Sequence, residues 1–370
     1  MSKASCIPHD LPLRGLDWER LAPKISRATL ELARYDGTLN GIVNPAVLLS
    51  PLTSREAILS SQIEGTITTL VEMLQLEAGK EYDETKKGDI KEVINYRVAL
   101  LTGENYLADR PVTLQLIREL HAMLLRDVRG SDKTPGKFRD DQNWLGRKGS
   151  PIEEARFIPP DPLLTRDHLD CLEAFIQSDY SDPLVQLAIV HAQFEIIHPF
   201  KDGNGRLGRM LVPLFLFQKR VLERPMFYLS EYLEEVDQEY RDRLLAITDN
   251  DDWQGWIEFF LTVICIQAQK NNLKAKAIHN LYEELKPLFR KSTRSQFSHA
   301  ALDAFFNRPI INTADFITVS GINHRGTANS LLKALVKDGR ILLLKTGAGS
   351  NPAIYAFPEL INIVEGKKAL

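Results

Sequence analysis

The chain has little cysteine. Cys6, Cys171 and Cys265 are its three, far apart, with no Cys-x-x-Cys pair. That excludes a disulfide framework and fits a reducing cytoplasm. Long apolar runs are missing too: no stretch approaches the ~18 residues that a membrane span needs. The best candidate, Met210 to Phe217, is short and contains Pro213, so it reads as a buried helix. The first twenty residues lack a signal-peptide pattern, because Pro8, His9, Asp10 and Pro12 interrupt any apolar run. Positive charge is not in excess. The net charge of −3 gives no general reason to expect nucleic acid. A cytoplasmic protein without a membrane partner is the expectation. The 370 residues suit two or three domains, and 44% hydrophobic with 26% charged residues permit a sizeable core.

One dense motif stands against these absences: His198-Pro199-Phe200-Lys201-Asp202-Gly203-Asn204-Gly205-Arg206-Leu207-Gly208-Arg209. Gly203 and Gly205 tolerate positive φ and let backbone N–H groups approach an anion. Such a turn is strongest as an anion site where a helix begins just after it. Arg206 and Arg209, three apart, share one face of that helix and suit phosphate oxygens. Asp202 is a hard oxygen ligand of the kind Mg²⁺ takes alongside phosphates. His198 titrates near neutrality and can accept a proton from a hydroxyl. A lone Gly-Asn-Gly would be only a turn. The combination points to phosphoryl or nucleotidyl transfer.

The rest of the chain reads mainly as helices, over about 16–35, 66–76, 89–106 and from 112 onward. Pro45 and Pro51 punctuate the chain before a helix opening at Thr53-Ser54, with Ser54 as N-cap and Gly65 as its end. Glu64 then lies at a helix C-terminus, where the dipole disfavours an anion. Either it has a partner elsewhere or it is simply solvated. His121, in a periodic stretch, reads as a packed residue. His191 finds no further ligands at zinc spacing. Asp182-Pro183 opens an apolar helix that leads into His198, and Pro199 biases His198 toward an extended backbone.

Residues 131–163 break the helical pattern with five prolines and three glycines. Trp144-Leu145 and Phe157-Ile158 read as arms of a hairpin. It is either a surface excursion or a docking edge for an extended segment. After the polar helix that ends near Lys291, the pattern becomes helix, turn, helix and two strands, Ile341–Leu344 and Ala353–Phe357, joined by a turn over 347–352. This resembles a winged helix. Its His324, Arg325, Lys333, Lys337, Arg340 and Lys345 could meet phosphates, while winged helices also bind proteins.

The long motif matches the Fic signature, His-x-Phe-x-(Asp/Glu)-Gly-Asn-Gly-Arg-x-x-Arg, at every fixed position. Ser60-Ser61-Gln62-Ile63-Glu64-Gly65 resembles the inhibitory (Ser/Thr)-x-x-x-Glu-(Gly/Asn) of that family. Gly136-Lys137-Phe138-Arg139, Gln142-Asn143-Trp144 and Phe157-Ile158-Pro159-Pro160 resemble its flap. An inhibitory segment N-terminal to the core is similar to the second class of Fic proteins. The resemblance covers roughly residues 15 to 270.

It implies a mainly α fold: an N-terminal helical region over 1–110 with an inhibitory helix at about 54–65, and a Fic core over 111–270 with a β-hairpin flap at about 136–160. A helical linker over 271–295 and a winged-helix domain over 296–370 complete the expected plan. It implies transfer of AMP from ATP to a Ser, Thr or Tyr hydroxyl of a protein docked at the flap, including the chain itself, with homodimerisation common among relatives. His198 would be the base and Asp202 the Mg²⁺ ligand. Gly203, Asn204, Gly205, Arg206, Leu207, Gly208 and Arg209 would hold the nucleotide. Ser60, Glu64 and Gly65 would form the inhibitory segment, with Glu64 reaching Arg209. Tyr240 matches a nucleotide-contacting tyrosine of the family or is a packed helix aromatic. Two other readings stay open: transfer or removal of another phosphate-containing group, and a nucleotide-sensing DNA-binding regulator.

Overall fold

The computed structural model describes residues 4–147, 149, 151–348 and 351–370. The chain is mainly α-helical. Its elements in order are α1 (Trp18–Gly41), α2 (Pro45–Leu48), α3 (Ser50–Ile63), α4 (Leu70–Glu77), α5 (Glu84–Tyr106) and α6 (Leu114–Leu124). There follow α7 (Thr165–Gln177), α8 (Pro183–Ile197), α9 (Asn204–Gln218), α10 (Ser230–Glu235), α11 (Asp237–Asn250) and α12 (Trp253–Thr293). Then come α13 (Ser298–Asn307), β1 (Ile310–Asn312), α14 (Thr313–Ser320), α15 (Arg325–Lys337), β2 (Leu342–Lys345), β3 (Ile354–Ala356) and α16 (Pro358–Glu365). No described helix is long and apolar enough to cross a membrane.

Capping residues set many of the starts. Asp182 Oδ1 accepts from the N–H groups of Leu184 and Val185, both at 2.9 Å, and Pro183 fills the first helical position of α8. Thr69 and Glu72 form a capping box, so α4 opens at Leu70 rather than Thr66. The expected cap at Ser54 is wrong. α3 already starts at Ser50, and Ser54 is buried within it. Pro51 lies in the first turn, where no intrahelical N–H is needed, so it starts the helix instead of breaking the chain. α9 likewise runs through Pro213.

The described chain divides into two compact units, and the division passes through several helices. The first comprises residues up to Asp36, Leu59–Gly65 and Ile94–Gln269. At its centre α8 is apolar and buried around its circumference, and it packs against α7 and α9. Trp256 of α12 donates its indole N–H to the Ala188 carbonyl at 2.8 Å, tying α12 to α8. The loop between α8 and α9 is therefore held by two of the best-packed helices of this unit.

The second unit comprises Gly37–Ile58, Thr66–Val93 and Lys270–Leu370. α12 is one helix of 41 residues that continues across the unit boundary; the stretch expected as a linker is its second half. β1, β3 and β2 form an antiparallel sheet in that order, with Ile311 and Leu343 both opposite Tyr355. β1 and α16 were not anticipated. β1 is three buried residues, Ile310, Ile311 and Asn312, too short for a period to show. In the turn expected over 347–352, Ala348 bridges Asn351; Gly349 and Ser350 lie outside the described residues.

Candidate active site

His198 follows the last residue of α8 and has φ 48° and ψ 60°. The extended conformation expected before Pro199 is not adopted. The clash with proline disfavours the right-handed helical region, and a left-handed residue closes the helix instead, with His198 N–H donating to the Phe194 carbonyl at 3.0 Å. Such a backbone persists only where its surroundings over-determine it. Arg139 does so. Its Nε donates to the His198 carbonyl at 3.0 Å, and Nη2 donates to the carbonyls of Ile197 and Pro160. Its own N–H donates to the Pro199 carbonyl at 2.9 Å.

The His198 ring is defined as well. Nδ1 lies 3.3 Å from the Glu195 carbonyl, which can only accept, so Nδ1 carries the proton and Nε2 keeps its lone pair. Burial pulls the pKa down to about 4, against the opposing bond to Glu195. The imidazole is neutral at pH 7.

The turn after it is clamped from both sides. Asn204 Oδ1 accepts from Phe200 N–H at 2.9 Å, and its Nδ2 donates to the Phe200 carbonyl at 2.8 Å. The Asn204 side chain is thus spent inside the turn, leaving its backbone N–H for any ligand. Gly203 takes φ 78° at the N-cap of α9. The opening N–H groups of α9 have no partner one turn earlier in the helix, which favours an anion there. His121, read as a packed residue, holds the turn from below. Its Nδ1 accepts from Gly136 N–H at 2.8 Å, so Nε2 is protonated and donates to the Asp202 carbonyl at 2.9 Å. Its ring stacks on Phe200 at 3.7 Å. Burial lowers its pKa to about 4. The sequence offered no sign of this role, because both partners are backbone groups far along the chain.

Arg206 and Arg209 have side chains only 1% and 2% exposed. Arg206 reaches toward Asp202 Oδ1 at 3.5 Å. Arg209 donates from Nε to Ser60 Oγ at 2.9 Å, and from Nη2 to the Ser60 carbonyl and Glu64 Oε1, both at 2.8 Å. Burial pushes the Glu64 pKa up, but the charge and hydrogen bond of Arg209 outweigh it, and the net shift is downward. Glu64 also lies over the start of α9. A Cβ on Gly205 would sit 2.3 Å from its Oε1. Gly65, at φ 87°, ends the turn that carries Glu64.

A cavity of about 450 Å³ joins these groups. His198, Glu64, Gly205 and Arg209 line it, with Glu195, Tyr240, Leu244 and Leu245 along the wall. The Tyr240 hydroxyl donates to His191 Nε2 at 2.9 Å, and His191 Nδ1 donates to the Gly208 carbonyl at 3.2 Å. Leu207 is fully buried in the core. Among the described residues no group of three or more His, Cys, Asp and Glu is arranged for a metal ion.

Among the described residues the expected hairpin over 136–160 reduces to one bridge, Leu145 opposite Phe157. Pro151, Pro159 and Pro160 cannot donate to a ladder, and a 3₁₀ turn at Ile152–Glu154 interrupts it.

Comparison with known proteins agrees with this architecture. A probable protein adenylyltransferase of Aquifex aeolicus is 28% identical over 181 residues, which is 47% of this chain and 51% of that protein. The protein adenylyltransferase Fic of Drosophila willistoni is 28% identical over 161 residues, 42% of this chain and 30% of that protein. The chain thus spans at most about half the length of these relatives. A solved Fic family protein from Desulfovibrio desulfuricans shares the fold with a TM-score of 0.56 at 18% identity, over 90% of this chain and 96% of that one. A Fic domain containing signaling protein from Bacteroides thetaiotaomicron does so at 0.54 and 19%, over 68% and 97%. The model of the Fic/DOC family N-terminal region matches residues 22–105, and that of the Fic/DOC family matches 111–216. With about half its length matched by these two models, the chain belongs to the Fic/DOC family.

Proposed function

We propose that the chain transfers AMP from ATP to a Ser, Thr or Tyr hydroxyl of a protein, itself included, and that Glu64 holds it inactive. One observation carries this reading. A neutral His198 with a free Nε2 and the opening turn of α9 line the same cavity, and Glu64 already lies against that turn.

The chemistry follows from the residues. His198 Nε2 takes the proton of the target hydroxyl as its oxygen attacks the α-phosphorus. The bond from that phosphorus to the bridging oxygen breaks, pyrophosphate leaves, and AMP remains as a phosphodiester on the protein. The N–H groups of α9 and the Arg206 guanidinium stabilise charge on the phosphate oxygens. Asp202, a single partly exposed carboxylate beside that turn, suits Mg²⁺, which takes one or two carboxylates plus phosphates and water. Bound there, the ion would neutralise phosphate charge.

Glu64 acts as a competing anion. Its carboxylate occupies the Arg209 fork and the edge of Gly205 that an outer phosphate would need. Displacing it means breaking an ion pair whose arginine is buried. That costs about 3 kcal/mol, the low end for buried pairs because Glu64 is 34% exposed. A target would dock at the flap, where Trp144 and Leu145 are exposed.

The test uses wild type, Glu64→Gly and Glu64→Gly/His198→Ala, incubated with Mg²⁺ and α-labelled ATP and read by intact mass. The proposal expects one added AMP on the Glu64 variant, roughly a hundredfold faster than wild type, and none without His198. An ATP-bound Glu64→Gly protein that modifies neither itself nor any added protein would sink it.

A second reading rests on residues 296–370, read as a winged helix. The order α13, β1, α14, α15, β2, β3 and the exposed Arg325, Lys333, Lys337 and Lys345 support contact with DNA phosphates. A mobility shift that weakens steeply with salt would support it; its absence at low salt would remove it.

A further inference from the structure

Glu195 lies on the last turn of α8, three residues before His198, and lines the cavity with His198, Arg209 and Tyr240. Its Oε1 is shut off from solvent and, among the described residues, has no hydrogen-bond partner. The carboxyl lies across Gly208: a Cβ there would be 2.2 Å from Oε1. The glycine therefore makes room for this acid, although it is not a fixed position of the motif. Burial pushes the Glu195 pKa up to about 7, with Arg209 opposing. A buried acceptor without a donor destabilises the protein on its own. Glu195 as a residue is partly exposed and lines the cavity, so a rotation of its carboxyl can bring this oxygen to a donor that arrives with the ligand.

The ligand's phosphates cannot supply it, since their oxygens only accept. The donor must be an N–H or O–H elsewhere in the ligand. Tyr240, Leu244 and Leu245 give the same cavity an apolar wall that suits a nucleoside. We propose that Glu195 is a specificity-determining contact of the bound nucleotide, accepting a hydrogen bond from its nucleoside. The donor is either the amino group of the base or a ribose hydroxyl. This rests on the reading of the cavity as a nucleotide site.

The test measures binding without turnover, by calorimetry in the Glu64→Gly/His198→Ala background. ATP, inosine triphosphate, 2′-deoxy-ATP and 3′-deoxy-ATP are compared before and after Glu195→Met. The added substitution should weaken ATP roughly fivefold or more, the loss expected for one net hydrogen bond. If the base amine is the donor, inosine triphosphate binds poorly to the parent and the substitution erases its difference from ATP. If ribose is the donor, one deoxy analogue behaves so instead. Gly208→Ala should displace the carboxyl and give the same losses, with nothing further lost when both are combined. The thermal midpoint of the Glu195→Met protein without nucleotide should hold or rise, because a buried unpaired acceptor is gone; a structural role would lower it. An unchanged ranking of the four nucleotides after Glu195→Met overturns the inference alone, and AMP transfer by Glu64→Gly would still stand. Failure of every nucleotide to bind overturns both the inference and the proposed function.

Discussion

The segment from α8 through the turn into α9 and the flap face the same cavity, yet they are built in opposite ways. The first is clamped at each step: Arg139 on the His198 carbonyl, Asn204 on Phe200, His121 on Asp202. Between its two arms the flap has a single β-bridge among the described residues, and its Trp144 and Leu145 are exposed. A reacting group must be held to a fraction of an ångström, because small displacements cost much of the rate. An edge that pairs with an extended segment needs only its backbone presented. Stability and chemistry should therefore be sensitive to substitution in the first region, and target binding in the second.

The largest effect should follow from Arg139→Ala. It leaves the carbonyls of Pro160, Ile197 and His198 without this donor, each worth roughly 1 kcal/mol or more when buried. A loss of about 3 kcal/mol in urea denaturation is expected. In a Glu64→Gly background kcat should fall more than the ATP affinity, because the base and not the phosphate turn is released. Equal losses in both would mean that Arg139 supports the whole site rather than His198. His121→Leu should follow at about 2 kcal/mol, since the Asp202 carbonyl and the Gly136 N–H both lose a partner. Here ATP affinity should suffer as well, because the phosphate turn is what loosens.

The pH dependence of stability separates the clamped region further. Burial lowers the pKa of His121 and His198 to about 4 and of His191 to about 3. Between about pH 6.5 and 4 the unfolded chain therefore binds protons that the folded chain refuses, and their contribution to stability is lost as pH falls through that window. Glu195, raised to about 7, works in the other direction: its folded form holds a proton that the unfolded chain releases, so it favours the fold at the acid end of its range. Three histidines against one carboxyl predict a urea midpoint that drops from pH 6.5 to pH 4. A flat or rising midpoint would mean that these rings take up protons in the folded protein.

What could be read in the sequence follows the same division. The turn before α9 and its arginines are contiguous, so the anion-binding chemistry proposed for them is legible in twelve residues. Glu64 was reachable because its short motif travels with it. Arg139 and His121 were not: apart from the nearby Asp141 carbonyl, their side-chain partners are backbone atoms 15 to 81 positions away, and no residue pattern marks a carbonyl as needing a donor. Glu195 was passed over as part of an apolar helix; only the empty acceptor and the space over Gly208 single it out. Pro51 was misread because a proline two positions into a helix looks the same as one that ends a segment.

The smallest effect on stability should come from the flap. Leu145→Ser keeps both bridging backbone groups and removes only an exposed side chain, so the folding free energy should change by less than about 0.5 kcal/mol. Leu145→Pro removes the N–H that donates to the Phe157 carbonyl at 2.8 Å, and with it one of the bonds that set the edge. In a Glu64→Gly background the proline variant should raise the KM for a protein target severalfold or more, while ATP affinity changes less than twofold. The serine variant should raise that KM less. If Leu145→Ser costs the target as much as Leu145→Pro, recognition runs through the side chain rather than the backbone edge. If the proline variant loses ATP affinity in step with the target, the flap is part of the nucleotide site, and the contrast between a clamped chemical segment and a tolerant docking edge fails.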